Sequence, residues 1–237
     1  MDYEFTIIVP VYNEEGNLER LESELTKYLA IALMKTKILF VNDGSVDRSQ
    51  TLIEEICKRN KHFHFIQLSK NNGLSAALKA GFDHVDTKLT GYMDSDLQTS
   101  PNDFNMLLPL INEYNLVNGV RSQRKDPFLK YFSSIVANRI RRSFTNDGMD
   151  DTGCPLKVIQ TDYAKHIPMF NGLHRFLPAM ILLQKGKVIQ VPVQHFPRIA
   201  GVSNFGLLNR LFGPLLDCFA YSWMKRRQIR YEISKKG

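Results

Sequence analysis

Residues 5–15 read Phe-Thr-Ile-Ile-Val-Pro-Val-Tyr-Asn-Glu-Glu, a short β-branched run that ends in an aromatic ring, an amide and two carboxylates. A continuous apolar run of this length, rather than an alternating one, suits a strand covered on both faces of a parallel sheet. The pattern recurs downstream: helix over 16–33, strand 37–41, helix 48–59, strand 63–68, helix 74–85 and strand 89–93. Strands alternating with helices at this spacing predict right-handed βαβ units and an α/β fold with a doubly wound, mostly parallel sheet. Ligands of such sheets bind beyond the carboxyl ends of the strands, so the residues that follow each strand are the ones to read for chemistry.

Beyond Arg121 the alternation loosens. Helices are predicted over 127–146 and 173–184, a Gly/Asp-rich stretch lies between them at 147–153, and 187–195 reads as a strand. From Phe205 onward Leu208, Leu211, Phe212, Leu215, Leu216, Phe219, Trp223 and Met224 recur at helical spacing, which predicts one apolar helix face. Pro214 is expected to kink it, and Lys225-Arg226-Arg227 follows directly. The expected organisation is a domain over 1–204 and an amphipathic, basic tail over 205–237.

The 237 residues are 43% hydrophobic and 23% charged, a balance that excludes disordered, collagenous and coiled-coil chains. No run reaches the ~18 apolar residues of a membrane helix. The opening Met-Asp-Tyr-Glu lacks the basic and apolar regions of a signal peptide, so a cytoplasmic location is expected. Cys57, Cys154 and Cys218 are odd in number and far apart, which predicts reduced thiols. The net charge of +7 is uneven: from His195 onward eight basic residues face two acidic ones, so +6 belongs to the tail and +1 to the first 194 residues. A basic tail without interleaved base-stacking aromatics speaks against a nucleic-acid partner.

Three strand ends carry candidate chemistry. After the first strand, Tyr12 offers a face on which a planar base can stack, with the Asn13 amide or the Glu14 and Glu15 carboxylates to accept from its N–H. The same residues also suit a loop and helix N-cap. After the second strand comes Asn42-Asp43-Gly44-Ser45, where Asp43 either caps a helix or joins Tyr12 in a nucleotide cleft. After the fourth comes Asp94-Ser95-Asp96-Leu97-Gln98. Two carboxylates one residue apart at a strand end can converge on Mg²⁺ or Mn²⁺, which take oxygen ligands and keep substrate phosphates in their shell. The competing reading is a solvated turn in which Asp96 caps the helix near Pro101. His174 and His195 have no partner at metal spacing and read as structural, with His195, just before Phe196-Pro197-Arg198, also placed to approach a diphosphate; nothing near Cys154 would activate it.

The set VPVYNEE (9–15), VNDGSVDRS (41–49), NNGLSAAL (71–78) and MDSDLQTSP (93–101) resembles the family 2 glycosyltransferases of the GT-A fold. GVRSQR (119–124), DTGCPLK (151–157), GLHRFLPA (172–179) and VQHFPRIAGVSNFG (193–206) are similar to the polyprenyl-phosphate sugar transferases within it, such as dolichyl-phosphate mannose synthases and undecaprenyl-phosphate glycosyltransferases. The resemblance implies that Pro10, Tyr12, Glu14 and Asp43 hold the base and ribose of a nucleotide-sugar donor. It places Asp94, Asp96 and Gln98 at the metal and diphosphate, and Arg121, Arg198 and Ser203 at the phosphate of a lipid acceptor. Arg124 and Arg175 are further basic candidates, Arg124 beside that acceptor phosphate or, like Arg175, on the donor diphosphate. Two residues depart from the pattern: Asn42 stands where an aspartate is frequent, and Leu74 where many bacterial relatives carry lysine. The Gln-x-x-Arg-Trp motif of processive polysaccharide synthases has no counterpart, since the single tryptophan is Trp223 in the tail.

The implied reaction is an inverting, metal-assisted transfer from a UDP-sugar to a polyprenyl phosphate. A phosphate monoester, with a second pKa of ~6, is already mostly anionic and needs positioning rather than a base. The apolar tail helix ending in cations suits an anionic membrane surface, which implies a peripheral enzyme on the inner face of the cell membrane, alone, as a homo-oligomer or with a membrane subunit. The helix over 127–146 offers a second contact with the bilayer or ordinary core. The alternatives are a GT-A enzyme with a saccharide hydroxyl acceptor and a catalytically silent nucleotide-sugar-binding module.

Overall fold

The computed structural model describes residues 2–121, 138–197, 212–229 and 234–235. Its strands are β1 (Phe5–Val11), β2 (Thr36–Asn42), β3 (Phe63–Gln67), β4 (Leu89–Tyr92), β5 (Leu116–Arg121), β6 (Lys157–Gln160) and β7 (Val188–Val193). They form one sheet in the order β3-β2-β1-β4-β6-β5-β7. β6 alone runs against its neighbours, lying antiparallel between β4 and β5. The mostly parallel, doubly wound α/β fold expected from the alternation is the fold observed.

The helices are α1 (Glu15–Ile31), α2 (Ser49–Arg59), α3 (Leu74–His84), α4 (Phe104–Leu107), α6 (Thr161–Lys165), α7 (Leu177–Leu183) and α8 (Phe212–Arg227), with α5 described over 138–145. The central strands bury both faces. Phe5, Ile7, Val9 and Val11 of β1 pack with Leu18, Leu21, Leu25 and Tyr28, which recur at three- and four-residue steps on one side of α1. Ile8 points the other way, with Leu39 and Val41 of β2, toward Leu78 and Phe82 of α3 and Leu177 of α7. Truncating any such fully buried leucine to alanine costs about 2–5 kcal/mol.

From Leu116 onward several elements depart from the sequence pattern. β5 and β6 are strands where none is predicted. The helix over 173–184 divides into a 3-10 turn at Leu173–Phe176 and α7, because Pro178 has no N–H to bond the carbonyl of residue 174 and instead occupies the first turn of a new helix. Of the helix predicted over 127–146, residues 138–145 are helical and the remainder lies outside the described residues. Arg141 of this helix forms a buried ion pair with Asp147 and donates through Nη2 to the Met149 carbonyl at 2.7 Å, which fixes α5 to the loop that follows it.

α8 has two apolar sides rather than one. Its inward side seats Cys218 and Tyr221 in the core, with the Tyr221 ring stacked on Phe176 at 5.9 Å. Asp217 lies against Gly172, where a Cβ would overlap its carboxylate, and faces Arg175 at 3.6 Å. Its outward side presents Leu216 at 68% and Trp223 at 64% exposure, with Phe219 between them and Leu215 also exposed. Phe219 meets Phe144 of α5 edge-to-face at 5.2 Å. The expected division at residues 204 and 205 lies outside the described residues, as does the helix predicted before Phe212; α8 begins at Phe212, so Pro214 falls in its first turn. Among the described residues no helix is long and apolar enough to cross a membrane.

Candidate active site

The site lies at the C-terminal ends of β1, β2 and β4, where the strand order turns from β2 on one side of β1 to β4 on the other. The first two loops are tied to each other. Asn13 adopts φ +54°, a left-handed conformation that asparagine tolerates better than most residues. Its side-chain oxygen accepts from Val46 N at 2.9 Å and its own N–H donates to Ser45 Oγ at 3.0 Å. Glu14 N donates to Ser49 Oγ at 2.9 Å, and the Glu14 carboxylate accepts from Asn17 Nδ2 at 2.5 Å. Pro10 and Tyr12 stand half-buried beside this junction. The loop reading of Asn13 and Glu14 is therefore realised in detail.

Asp43 is buried, and both carboxylate oxygens serve the backbone: Oδ1 accepts from Asn72 N at 2.9 Å and Oδ2 from Gly73 N at 2.8 Å. It clamps the end of β2 to the turn that opens α3. Asn42 does the same locally, accepting from Ser45 N at 2.9 Å and donating to Gln50 Oε1 at 2.7 Å. Between them Gly44, at φ +67°, passes so close to the Lys70 backbone that a Cβ would overlap it, so the two loops touch main chain to main chain.

Asp94 and Asp96 follow β4. The Tyr92 hydroxyl donates to Asp94 Oδ1 at 3.0 Å, and Asp96 Oδ1 accepts from Gln98 N at 3.1 Å. Leu97 holds φ +53°, a costly conformation for a bulky residue, and puts its side chain into the core. The loop is anchored by the segment that follows β7: Phe196 N donates to the Gln98 carbonyl at 2.9 Å, and Gln194 N to Asp103 Oδ2 at 2.8 Å. Burial first and the neighbouring Asp96 carboxylate second push the Asp94 carboxyl up to about 6.

Behind the carboxylates lies Lys157, opposite Tyr92 in the β4–β6 register and only 1% exposed. Its ammonium donates to the carbonyls of Thr152, at 3.2 Å, and Cys154, and sits 5.6 Å from the centre of the Tyr92 ring. Burial pulls it down to about 8. Arg121 ends β5, and its guanidinium is held side-on by Asp151, Nε to Oδ2 at 2.7 Å and Nη2 to Oδ1 at 2.8 Å. His174 contacts Ser75 Oγ through Nδ1 at 2.8 Å, and burial, followed by the charge of Arg175, drives the imidazole down to about 3, in keeping with its structural reading. The Cys154 thiol is pushed up to about 11, chiefly by burial, so it is no nucleophile at neutral pH.

Of the predicted residues, Asp94, Asp96, Gln98, Pro10, Tyr12, Glu14 and Asp43 gather around the β1/β4 switch point, with Arg121 at the neighbouring end of β5. Arg175 is half-buried against Asp217 of α8. Arg124, Arg198 and Ser203 lie outside the described residues. Sequence reading missed Tyr92, Asp151 and Lys157. Their signal was present only as membership of the MDSDLQTSP flank and the DTGCPLK stretch.

Residues 6–167 match the family model described as glycosyl transferase family 2. The dodecaprenyl-phosphate galacturonate synthase of Rhizobium johnstonii (strain DSM 114642 / LMG 32736 / 3841) is 28% identical over 233 residues, covering 96% of this chain and 69% of that protein. The undecaprenyl-phosphate 4-deoxy-4-formamido-L-arabinose transferase of Enterobacter sp. (strain 638) is 31% identical over 221 residues, covering 91% of this chain and 66% of that protein. The chain thus spans about two thirds of the length of these relatives. Among solved structures, glucosyl-3-phosphoglycerate synthase from Mycobacterium tuberculosis with Mn²⁺, UDP and glucosyl-3-phosphoglycerate superposes with a TM-score of 0.71 at 12% identity, covering 94% of this chain and 80% of that one. A mannosyltransferase from Pyrobaculum calidifontis with GDP-mannose and Mn²⁺ gives 0.69 at 14% identity, covering 94% and 65%. At such identities the structural likeness concerns the fold.

Proposed function

We propose that this chain, which belongs to glycosyl transferase family 2, moves a sugar from a nucleotide-diphosphate sugar to a polyprenyl phosphate at a membrane surface. The observation that carries the reading is the pair Asp94 and Asp96 at the β1/β4 switch point. Burial and the Asp96 carboxylate beside it disfavour the ionised form of Asp94, and a divalent cation removes that conflict. The donor set fits such an ion: carboxylate and amide oxygens from Asp94, Asp96 and Gln98, all hard ligands suited to Mg²⁺ or Mn²⁺. Among the described residues no third acidic, histidine or cysteine side chain joins them, which suits a metal whose shell is completed by substrate phosphates. When bound, the ion supplies Lewis-acid stabilisation of the charge that develops on the departing diphosphate.

The chain's own residues do the rest. Tyr92 orients Asp94 through its hydroxyl, Tyr12 receives the base, and Pro10 and Glu14 line its pocket. Asp43 serves the donor through the turn it clamps. Arg121 orients the acceptor phosphate in line with the anomeric carbon, with Arg124, Arg198 and Ser203 assigned to the same phosphate by the family resemblance. That anion attacks without a base, and the anomeric centre inverts. The acceptor class is supported by the two relatives above, whose names specify polyprenyl phosphates. The donor nucleotide is UDP, on the family resemblance. The outward stripe of Leu216, Phe219 and Trp223, ending in Lys225, Arg226 and Arg227, is the surface that meets anionic lipid on the inner face of the cell membrane.

Transfer of radiolabelled sugar from a panel of UDP- and GDP-sugars to undecaprenyl phosphate in detergent tests the reading, with Mg²⁺ or Mn²⁺ and with Asp96→Ala as control. A chloroform-soluble product that needs both metal and Asp96 is expected. Tight, metal-dependent donor binding with no labelled lipid would sink the acceptor assignment in favour of a hydroxyl acceptor.

A further inference from the structure

The loop at 151–157 is built around Arg121. Asp151, nearly buried at 6% side-chain exposure, takes two of the five guanidinium N–H donors in a side-on fork and also receives the Arg121 backbone N–H at 3.4 Å. The carboxylate is itself placed. Asn118 Nδ2 donates to the Asp151 carbonyl at 3.1 Å, and the Lys157 ammonium holds the next carbonyls along, those of Thr152 and Cys154. A Cβ on Gly153 would stand 3.1 Å from Arg121 Nη2 and 3.4 Å from Asp151 Oδ1, so the backbone there closes against the ion pair with no room to spare. A charged fork fixed on one edge has its plane fixed as well, and a planar guanidinium recognises phosphate only in the right plane.

We infer that Asp151 is a positioning residue for the acceptor phosphate: it sets the plane of Arg121, and Lys157 holds the loop that carries it. The inference rests on the assignment of Arg121 to the acceptor, and it extends the site to residues that never touch substrate. Asp151→Asn keeps the shape of the side chain but presents an NH₂ to one of the guanidinium N–H groups, so one arm of the fork is lost. The acceptor KM is expected to rise about tenfold, with the donor KM within about twofold of wild type. Gly153→Ala leaves every charge in place and only crowds Nη2; a rise of about threefold in acceptor KM is expected without loss of Tm.

The decisive measurement is a double-mutant cycle on acceptor KM with Arg121→Lys, run beside UDP binding by calorimetry as a fold-independent check on the donor half of the site. If Asp151 acts through Arg121, Asp151→Asn adds less than about twofold once the fork is gone. Fully multiplicative effects, or donor and acceptor KM rising together in Gly153→Ala, overturn the positioning role. A wild-type chain that binds UDP and labels no polyprenyl phosphate overturns the acceptor reading instead, and the two failures are separate.

Discussion

Replacing Asp43 with alanine separates a structural carboxylate from a ligand-binding one. The side chain accepts from two backbone N–H groups, Asn72 at 2.9 Å and Gly73 at 2.8 Å. A donor orphaned in a dry interior costs ~1–3 kcal/mol, but Asn72 is exposed and Gly73 half-buried, so water recovers part of the loss and ~2 kcal/mol for both is expected. With an unfolding entropy of ~2.1 cal/mol/K per residue, 237 residues give ~0.5 kcal/mol/K, so Tm falls by about 4 °C. Asp43→Asn should recover no more than half of this, because the amide oxygen replaces one acceptor while the NH₂ faces the other donor. Differential scanning calorimetry of the two variants beside UDP titration is the assay. A Tm within 1 °C of wild type together with abolished UDP binding would refute the clamp and make Asp43 a direct ligand.

The remaining predictions concern charge and surface. His174, depressed from 6.5 to about 3 by burial, stays neutral in the fold while the unfolded chain takes up a proton below pH 6.5. Stability is therefore lost as pH falls through that window, by ~1.4 kcal/mol or about 3 °C between pH 7.5 and 5.5, and His174→Asn should flatten the acid limb of a Tm–pH series by that amount. Asp94 is raised from 3.8 to about 6, so its penalty is present above pH 6 and vanishes below 3.8. Asp94→Asn should raise the Tm of the metal-free protein at pH 7.5 by about 2–4 °C while abolishing sugar transfer; a lowered Tm would show that the carboxylate stabilises the fold. Leu216→Ser with Trp223→Ser should leave Tm within about 1 °C, since both side chains are exposed, and reduce co-sedimentation with anionic vesicles at least fivefold. Unchanged sedimentation would move the membrane face elsewhere.

The strands β1 and β2 were legible because they are apolar runs of the length that a doubly covered sheet needs, and β3 and β4 because they recur between helices at the same spacing. β5 was not, because Asn118 and Gly119 interrupt Leu116-Val-Asn-Gly-Val-Arg with an amide whose burial depends on the Gly119 and Asp151 carbonyls it meets. β6 was not, because its first residue is a lysine, and a buried ammonium satisfied by two carbonyls cannot be told from a solvated one by type alone. The site divides in the same way. Asp94 and Asp96 declare themselves by one-residue spacing at a strand end. Asp43 reads as a cap or a nucleotide-site residue from the same kind of placement, and only the fold adds the clamp on residues 72 and 73. The tail helix reads as singly amphipathic because Cys218, Tyr221 and Met224 lie among the same small set of apolar letters as the stripe on its opposite side.

Strand order and chain order disagree at β6, and this has a consequence for a chain emerging from the ribosome. β1 to β4 can pair as they are made, but β4 keeps one open edge, and β5 has no partner on that side until Lys157–Gln160 has been synthesised and inserted between them. A nascent chain stalled between Arg121 and Lys157 therefore displays the strand that leads to Asp94 and Asp96 as an uncovered edge, ready to pair with a neighbouring chain. The ammonium behind Tyr92 arrives with the strand that closes this edge, so sheet closure and the electrostatic completion of the site are one event in biosynthesis.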